Sequence, residues 1–542
     1  MAALTVEDST GKATRIEVYP AARSIEYPRT PPAEAIRLAS ASPKVRAELE
    51  RRGSYAAAAD YDPAGDEWTV SFYSGPDREE EIARVGISDA GGRLEYAWTG
   101  EQIAWQMARG EEGAYGKEAN HPLVWGALAL LFALAFARTD RVLSLRNLDV
   151  LALLGFLISH HFFRAGEPFW AVALLYPPLV YLFARTLLAG FGVGERVERT
   201  SNLPAPALFA LGALASGFII ALNIHSRVID VGYAGAAGAD RILSGTLPYG
   251  NMPEEISTGD TYGPLNYLIY VPANLLFGFS GEWDYLPAAH AVTVAAFVIA
   301  ALALMAAGRR LAGAPGAAAL FFAWAVFPHT VYATNNNTND VLLAAFGALG
   351  LAAFASPVAR GATVAAGFAI KLAPLVLAPL WLAQNGLRPG PVLKFLLGGL
   401  AVFAGSFWVL ALDGSFLEGL RLFYERTFAY QTGRETPWSI YGQIPETRVL
   451  QRPAMALVAF VALLTFFLPR ERTVRRLAAL SAALLIGVQL TLNYWFYPYL
   501  VWFAPFAFVA LLLATDRKTP LDGPSEPSGS PLRRVSGKAP GR

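Results

Sequence analysis

Cysteine is missing from all 542 residues, which excludes disulfides, thiolate nucleophiles and Cys-based metal sites. Charge is scarce: Asp, Glu, Lys and Arg together make up 16% of the chain and the formal net charge is +1, so no basic excess argues for nucleic acid. The opening stretch MAALTVEDSTGKATRIEVYP has no apolar core of signal-peptide length, and no cleavable export signal is expected. No Walker A loop, dinucleotide-binding glycine fingerprint or G-x-S-x-G elbow stands in a suitable context, which argues against ATP-driven, dinucleotide and hydrolase chemistry. His160, His161, His225, His290 and His329 include no pair at zinc spacing, so they read as interfacial or bundle-buried histidines. Apolar residues are what the chain has in excess: 54% hydrophobic with mean hydropathy +0.36, too greasy for a water-soluble protein of this length.

The distribution of that apolar content sets the organisation. Residues 1–120 carry charges throughout and short alternating runs such as Glu67-Trp68-Thr69-Val70-Ser71-Phe72-Tyr73, which predict a small soluble α+β domain. From Leu123 onward, apolar stretches of about 20 residues recur between short polar loops, the length needed to cross a bilayer as helix. The spans are expected near 122–138, 148–163, 169–190, 205–223, 286–307, 317–334, 338–355, 392–412, 453–468, 474–492 and 495–514. Two further stretches, 264–280 and 361–383, are broken by Pro264 and Pro272 and by Lys371 with Pro374. The fold class is therefore a polytopic all-α membrane protein of about 11–13 transmembrane or re-entrant helices over 121–515, with the small α+β domain before it. Residues 516–542, rich in Pro, Gly and Ser, read as a disordered cytoplasmic tail.

Arginine placement gives orientation, because short cytoplasmic loops retain positive charge. Arg138, Arg141 and Arg146, then Arg196 and Arg199, Arg309 and Arg310, Arg360, and Arg470 to Arg476 mark inside loops. The set is self-consistent if both proline-broken stretches dip in and return on one side. The long loops 223–263 and 413–452 then face outward, as does the N-terminal domain.

The first outward loop runs into an amphipathic helix of about four turns, with Tyr233, Ala237 and Arg241 on one face and Gly245 and Pro248 stopping it. Asp230 stands at its start. A carboxylate at the edge of a low-dielectric region suits a base that deprotonates a sugar or lipid hydroxyl; it equally suits a helix cap. Glu254, Glu255 and Asp260 share this loop, either dividing acid and base work or simply solvated. Asn335, Asn336, Asn337, Thr338, Asn339 and Asp340 open an apolar helix, where amides can bond sugar hydroxyls or Thr338 or Asn339 can cap. Lys371, flanked by Ala369, Ile370 and Leu372, needs a partner carboxylate, a wet cavity or a route to the interface.

The order Asp230, Tyr233, then Gly245 with Pro248-Tyr249, then Thr261-Tyr262-Gly263-Pro264-Leu265, with the later Asn335–Asp340 and Ala369–Pro374 segments, resembles glycosyltransferase family 87 of the GT-C superfamily over about 205–385. The outward segment YERTFAYQTGRETPWSIYG is similar to an element of actinobacterial members. The chain departs from the commoner pattern with Gly263 where a proline often precedes Pro264, and with asparagines at 335–337 where Gly-Gln often occurs. The resemblance implies inverting transfer of a sugar from a polyprenyl-phosphate donor to a cell-envelope glycan or glycolipid acceptor at the extracytoplasmic face of a cell membrane; the two departures keep it from carrying over the sugar's identity, for which mannose or arabinofuranose is the expectation. It implies Asp230 as base. Arg241, Lys371 and Arg434 are candidates for the donor phosphate, since cations stabilise the charge that builds there; surface ion pairs are the alternative for both arginines. Tyr233, Tyr262, Asn336 and Asn339 are candidates for sugar or phosphate contacts, and Trp438 for stacking. No metal or other cofactor is called for. At the N-terminus, the runs EWTVSFYSG and IARVGISDAGGRLEYAWTG resemble a PepSY-like module.

Two readings of other classes compete: a transporter or flippase of lipid-linked envelope precursors, favoured by broken spans and an apolar-embedded lysine, and a sensor whose soluble domain reads the wall. Against transport, no inverted repeat is visible and the polar residues gather in outward loops.

Overall fold

The computed structural model describes residues 2–6, 13–18, 28–75, 78, 80–110, 117–194, 197, 199–283, 285–430, 436–470 and 472–514. The chain divides into two compact units, one of residues 1–111 with 162–168, the other of 112–161 and 169 onward.

In the first unit, β1 (Ala2–Val6) and β2 (Ala13–Val18) pair antiparallel. Helices α1 (Pro32–Ala41) and α2 (Pro43–Arg52) precede β3 (Tyr55–Asp62), β4 (Glu67–Ser74), β5 (Glu81–Ser88) and β6 (Arg93–Thr99), which form an antiparallel meander in sequence order. The period of two decides its faces. Trp68, Val70 and Phe72 of β4 stand opposite Ile87, Val85 and Ala83 of β5, and this row packs on Ala35, Ala39, Val45 and Leu49 of the helices. The other face carries Thr69, Ser71 and Arg84 with the stacked Tyr96 and Trp98 rings, 3.9 Å between centroids. Buried Asp89 accepts from the backbone N–H groups of Arg29 and Thr30 at 2.6 and 2.7 Å, pinning the chain ahead of α1 to the sheet. A short α3 (Glu101–Ala104) follows. The expected α+β character of this region is what the structure has.

The second unit is helical: α4 (Pro122–Phe136), α5 (Leu145–Arg164), α6 (Pro168–Gly190), α7 (Ala205–Asn223), α8 (Asp230–Leu243), α9 (Pro264–Leu268), α10 (Val271–Phe277), α11 (Pro287–Val326), α12 (Pro328–Asn335), α13 (Asp340–Ala352) and α14 (Pro357–Phe368). Helices Pro389–Phe407, Arg448–Phe467, Val474–Gln489 and Leu500–Leu512 follow, among shorter turns. Five helical segments among the described residues, Pro168–Gly190, Ala205–Asn223, Pro287–Val326, Pro389–Ala411 and Pro445–Phe467, are long and apolar enough to cross a membrane. This is the build of a helical membrane protein.

The longest of them, α11, is not one rod. Ala312 and Gly313 leave helical geometry, Gly313 at φ 63° where glycine is free of the Cβ penalty. Trp324 Nε1 donates to Phe297 O at 3.1 Å, 27 residues earlier, whereas a straight helix would hold them about 40 Å apart. The chain therefore folds back, and the expected pair of spans near 286–307 and 317–334 is an antiparallel hairpin turning just after Arg309 and Arg310. A Cβ on Gly308 would lie 2.3 Å from Gly316 O, so its two arms meet glycine to glycine.

Arginines gather at one end of this unit and serve helix C-termini, where carbonyls lack intrahelical partners. Arg146 donates to Phe136 O at the end of α4 and to Leu511 O at the end of the last helix. Arg310 donates to Ala352 O, the final residue of α13. Arg475 donates to Ala510 O. Asp230 lies beyond the far end of α7, a helix of 19 residues that spans about 28 Å at the usual rise.

Candidate functional site

Helix α8 starts where its backbone meets the asparagine run. Ile229, in the N-cap position, donates its N–H to Asn336 O at 3.2 Å. Asp230 is therefore the first helical residue and not the cap; it is exposed, and its Oδ1 accepts the Val231 N–H at 2.9 Å. Behind it, Gly232, Gly235 and Gly238 form a stripe at helical spacing. Cβ atoms there would lie 2.4 Å from Asn337 O, 2.5 Å from the Tyr270 ring and 2.2 Å from the Tyr267 ring. The stripe lets α8 lie directly on those groups, which fixes Asp230 beside residues 335–337.

A second backbone link brings the two proline-broken stretches together. Gly263 N–H donates to Ile370 O at 2.9 Å and Leu265 N–H to Ala369 O at 3.0 Å. Any side chain at 263 would meet Ala369 O, 2.2 Å from the Cβ position, and a proline there would lose the N–H. The departure at Gly263 thus has a local cause. Its consequence is that Tyr262 stands over Lys371, Nζ 5.5 Å from the ring centroid.

Lys371 Nζ donates to Asp340 Oδ1, the first residue of α13, and both side chains are buried. The same oxygen accepts Trp502 Nε1 at 2.6 Å, and Thr338 Oγ1 donates to Oδ2. Tyr499 and Trp502, stacked at 4.3 Å, flank the ammonium at 5.0 and 5.5 Å. Three rings and one carboxylate therefore enclose the cation, an arrangement that offsets its desolvation. The Asp230 charge acts on both Lys371 and Tyr262. Residues from four separated segments, Asp230, Tyr262, Asp340 and Lys371, thus share one electrostatic neighbourhood.

Around them lie buried amides. Asn223, at the end of α7, donates to Thr334 O at 2.7 Å and to Asn337 Oδ1 at 2.9 Å, and its own Oδ1 faces His290 Nδ1 at 3.2 Å. Asn337 holds a left-handed backbone, φ 55°, and donates to Ser226 Oγ and Arg227 O. Asn339 stands in the N-cap position of α13 without capping it; its Nδ2 donates to Asn266 Oδ1 at 2.8 Å. Both amide atoms of Asn336, Asn266 Nδ2, Asn339 Oδ1 and Tyr270 Oη are buried with no hydrogen-bond partner among the described residues. Such groups call for water or ligand.

The other expected residues lie elsewhere. Arg241 is 11 positions along α8 from Asp230, about 16 Å by helix rise, and donates Nε to Asn251 O at 2.8 Å; sharing a face did not make them neighbours. Tyr233 is buried, donating to Gly281 O at 2.8 Å and stacking on Trp283 at 4.3 Å. Arg434 lies outside the described residues. Asp260 is buried and structural: Oδ2 accepts Gly250 N–H at 2.8 Å and pairs with Arg426 at 3.4 Å. Burial raises its carboxyl above the ordinary range, against the pull of that N–H and guanidinium. Glu254 and Glu255 are exposed. Trp438 is buried, leaving no open face for a sugar. His329 is fully buried and stacks near His160, 5.8 Å between ring centroids.

Sequence reasoning did not select Asp340, Tyr499 or Trp502 for the site. The signal for Asp340 was available: a lysine inside an apolar stretch needs a carboxylate, and Asp340 heads an apolar helix. Arg227, exposed and three residues before Asp230, also went unselected. Beside Trp502 an apolar cleft lined by Leu343, Phe346, Val364, Pro374 and Phe506 encloses about 20 Å³, room for a water-sized molecule. No family model, curated protein or solved structure matches this chain.

Proposed function

We propose that this protein is a multi-pass enzyme of the cell membrane that transfers a sugar, of which mannose and arabinofuranose are the natural candidates for an envelope product, from a polyprenyl-phosphate donor to an envelope glycan or glycolipid. The reading sets the Asp230 end outside and the arginine-rich end inside, in keeping with retention of positive charge in the cytoplasm. Nucleotide sugars do not cross the bilayer, so a site at the outer face needs a donor whose activated phosphate arrives on a lipid.

One observation carries the proposal: an exposed carboxylate, an enclosed lysine and buried amides without partners converge at one end of the helical unit. Asp230 takes the proton from the acceptor hydroxyl. The acceptor oxygen then attacks the anomeric carbon from the face opposite the phosphate, and the bond from that carbon to the phosphate oxygen breaks. The electron pair leaves with polyprenyl phosphate, and the configuration inverts. Lys371 is a cation in the electrostatic reach of Asp230, held in place by Asp340 so that little reorganisation accompanies the charge change. Arg227, exposed and three residues before Asp230, supplies further positive charge at the same face. The unpartnered amides of Asn336, Asn339 and Asn266 offer donors and acceptors to a polyhydroxylated sugar.

The test uses purified full-length protein with a polyprenyl-phosphate sugar and an acceptor extract. Asp230→Asn is expected to lower turnover about 10²–10⁴-fold, the usual worth of a general base, with little change in melting temperature because the side chain is exposed. Unchanged turnover in the variant removes Asp230 as base. Sugar moved into vesicles without a new glycosidic bond favours the transport reading.

A further inference from the structure

At the opposite end of the helical unit lies a cavity of about 320 Å³ that the proposed chemistry does not use. Small-molecule sites begin at about this size. It is lined by Arg138, Arg146, Arg185 and Arg199 with Asp140 and Asp149, and by the polar Thr139, Ser201 and Asn202. Four guanidinium groups against two carboxylates leave a formal excess of +2 among these residues.

The excess can be traced to particular side chains. Asp140 pairs with Arg138 at 2.7 Å and Asp149 with Arg185 at 3.0 Å. Arg146 is buried, and its three nitrogens go to the carbonyls of Phe136, Leu511 and Thr200 at 2.8, 2.5 and 2.9 Å. Carbonyl dipoles solvate a guanidinium without cancelling its charge. The carboxylate whose charge Arg146 feels, Asp149, is already committed to Arg185. Arg199 gives Nη2 to Asn202 O. Arg475, outside the lining, acts electrostatically on Arg146 and is itself influenced by Arg185. A buried cation without a counter-ion of its own among the described residues is costly, and the cavity leaves room for one.

Position narrows the occupant. The lining comes from the last residue of α4, the connection from α4 to α5, the first turns of α5, the last two turns of α6 and the chain just ahead of α7. These are helix ends, the level at which lipid head groups meet an embedded bundle. We propose that this cavity binds a phosphate group, that of an anionic phospholipid head group, with Arg146 and Arg199 supplying the unmatched charge and Arg138 and Arg185 lending second contacts. Guanidinium groups bind phosphate in a bidentate manner.

The experiment uses full-length protein in nanodiscs of pure phosphatidylcholine and in matched discs containing phosphatidylglycerol, with a third arm in phosphatidylcholine plus inorganic phosphate or diphosphate. Thermal unfolding and lipid phosphorus retained after detergent washing are read in each. Wild type is expected to be stabilised by, and to retain, phosphatidylglycerol. Arg199→Gln and Arg138→Gln, at accessible positions, should each weaken that preference about five-fold while melting as wild type does in phosphatidylcholine. Equal stabilisation by inorganic phosphate or diphosphate keeps the phosphate site and reassigns its source to a soluble anion. Overturning outcomes are a wild type indifferent to all three additions, and arginine variants that keep the full preference. Asp230→Asn discs serve as a reference: lipid preference there is expected to be intact, so the result does not depend on the transfer reaction.

Discussion

The two ends of the helical unit each bury an ion pair, Lys371 with Asp340 at one and Arg185 with Asp149 at the other, and the pairs are satisfied differently. At the Asp230 end the carboxylate takes its remaining bonds from side chains, the Trp502 indole and the Thr338 hydroxyl, and three aromatic rings close over the ammonium. At the other end the neighbouring guanidinium groups lean on main-chain carbonyls at helix ends, and a cavity stands open beside them. Formal charge differs as well: Asp230, Asp340, Lys371 and Arg227 sum to zero, the cavity lining to +2. The first end presents a carboxylate and unpartnered amides, the second a cluster of guanidinium groups around open space.

The sharpest way to break this comparison is to remove one carboxylate from each pair. Asp340→Ala strands an enclosed ammonium and should cost about 3–5 kcal/mol of stability, read from unfolding in detergent. The uncharged double variant Lys371→Met with Asp340→Leu should recover most of the loss. Asp149→Ala should cost clearly less, because water and anions reach its cavity. Equal losses at the two ends would erase the distinction drawn between them.

Next in size, Gly263→Ala drives a methyl to within 2.2 Å of Ala369 O and should cost about 1–3 kcal/mol. Its effect on sugar transfer should exceed its effect on melting, since Tyr262 and Lys371 are displaced together. Tyr262→Leu removes one of three rings around the ammonium and should cost about 1 kcal/mol, whereas Tyr262→Phe keeps the ring and most of that energy. A penalty for Tyr262→Phe as large as for Tyr262→Leu would assign the role to the hydroxyl.

The smallest effect is expected at Asp260. Its carboxyl is raised by burial, so the folded chain holds that proton more tightly than the unfolded chain, and the ionised group costs stability above the raised value. The cost disappears as pH falls through that value towards the ordinary carboxylate range. Wild type should therefore gain on Asp260→Asn as pH is lowered from 7 towards 4, read from paired unfolding curves across that range. A gap that widens in the opposite direction would show that the Arg426 pair outweighs burial.

Helices were readable from sequence because apolar run length maps directly onto bilayer thickness. The run at 205–223 is the helix Ala205–Asn223, and that at 169–190 lies within Pro168–Gly190. The hairpin at Gly313 was marked by Arg309 and Arg310. The neighbourhood of Asp230 was only partly readable. Lys371 announced its need for a partner through its apolar flanks, but spacing along the chain does not reveal which of several carboxylates folds against it. Tyr499 and Trp502 carry no signal of their own, because aromatic residues near the ends of embedded helices are ordinary. Arg241 misled for a geometric reason: positions separated by multiples of a turn share a face while drifting apart along the axis. Arg146, taken for a loop charge, is a buried clamp on two helix ends, because loop charges and carbonyl-capping charges have the same spelling.

The main-chain bonds from Gly263 and Leu265 to Ile370 and Ala369 act as a mechanical splice between distant parts of the chain. Whatever displaces the tyrosine-bearing segment must drag the ammonium with it, or else break two main-chain hydrogen bonds at once. The placement of the ring and that of the positive charge are thereby geared to a single motion.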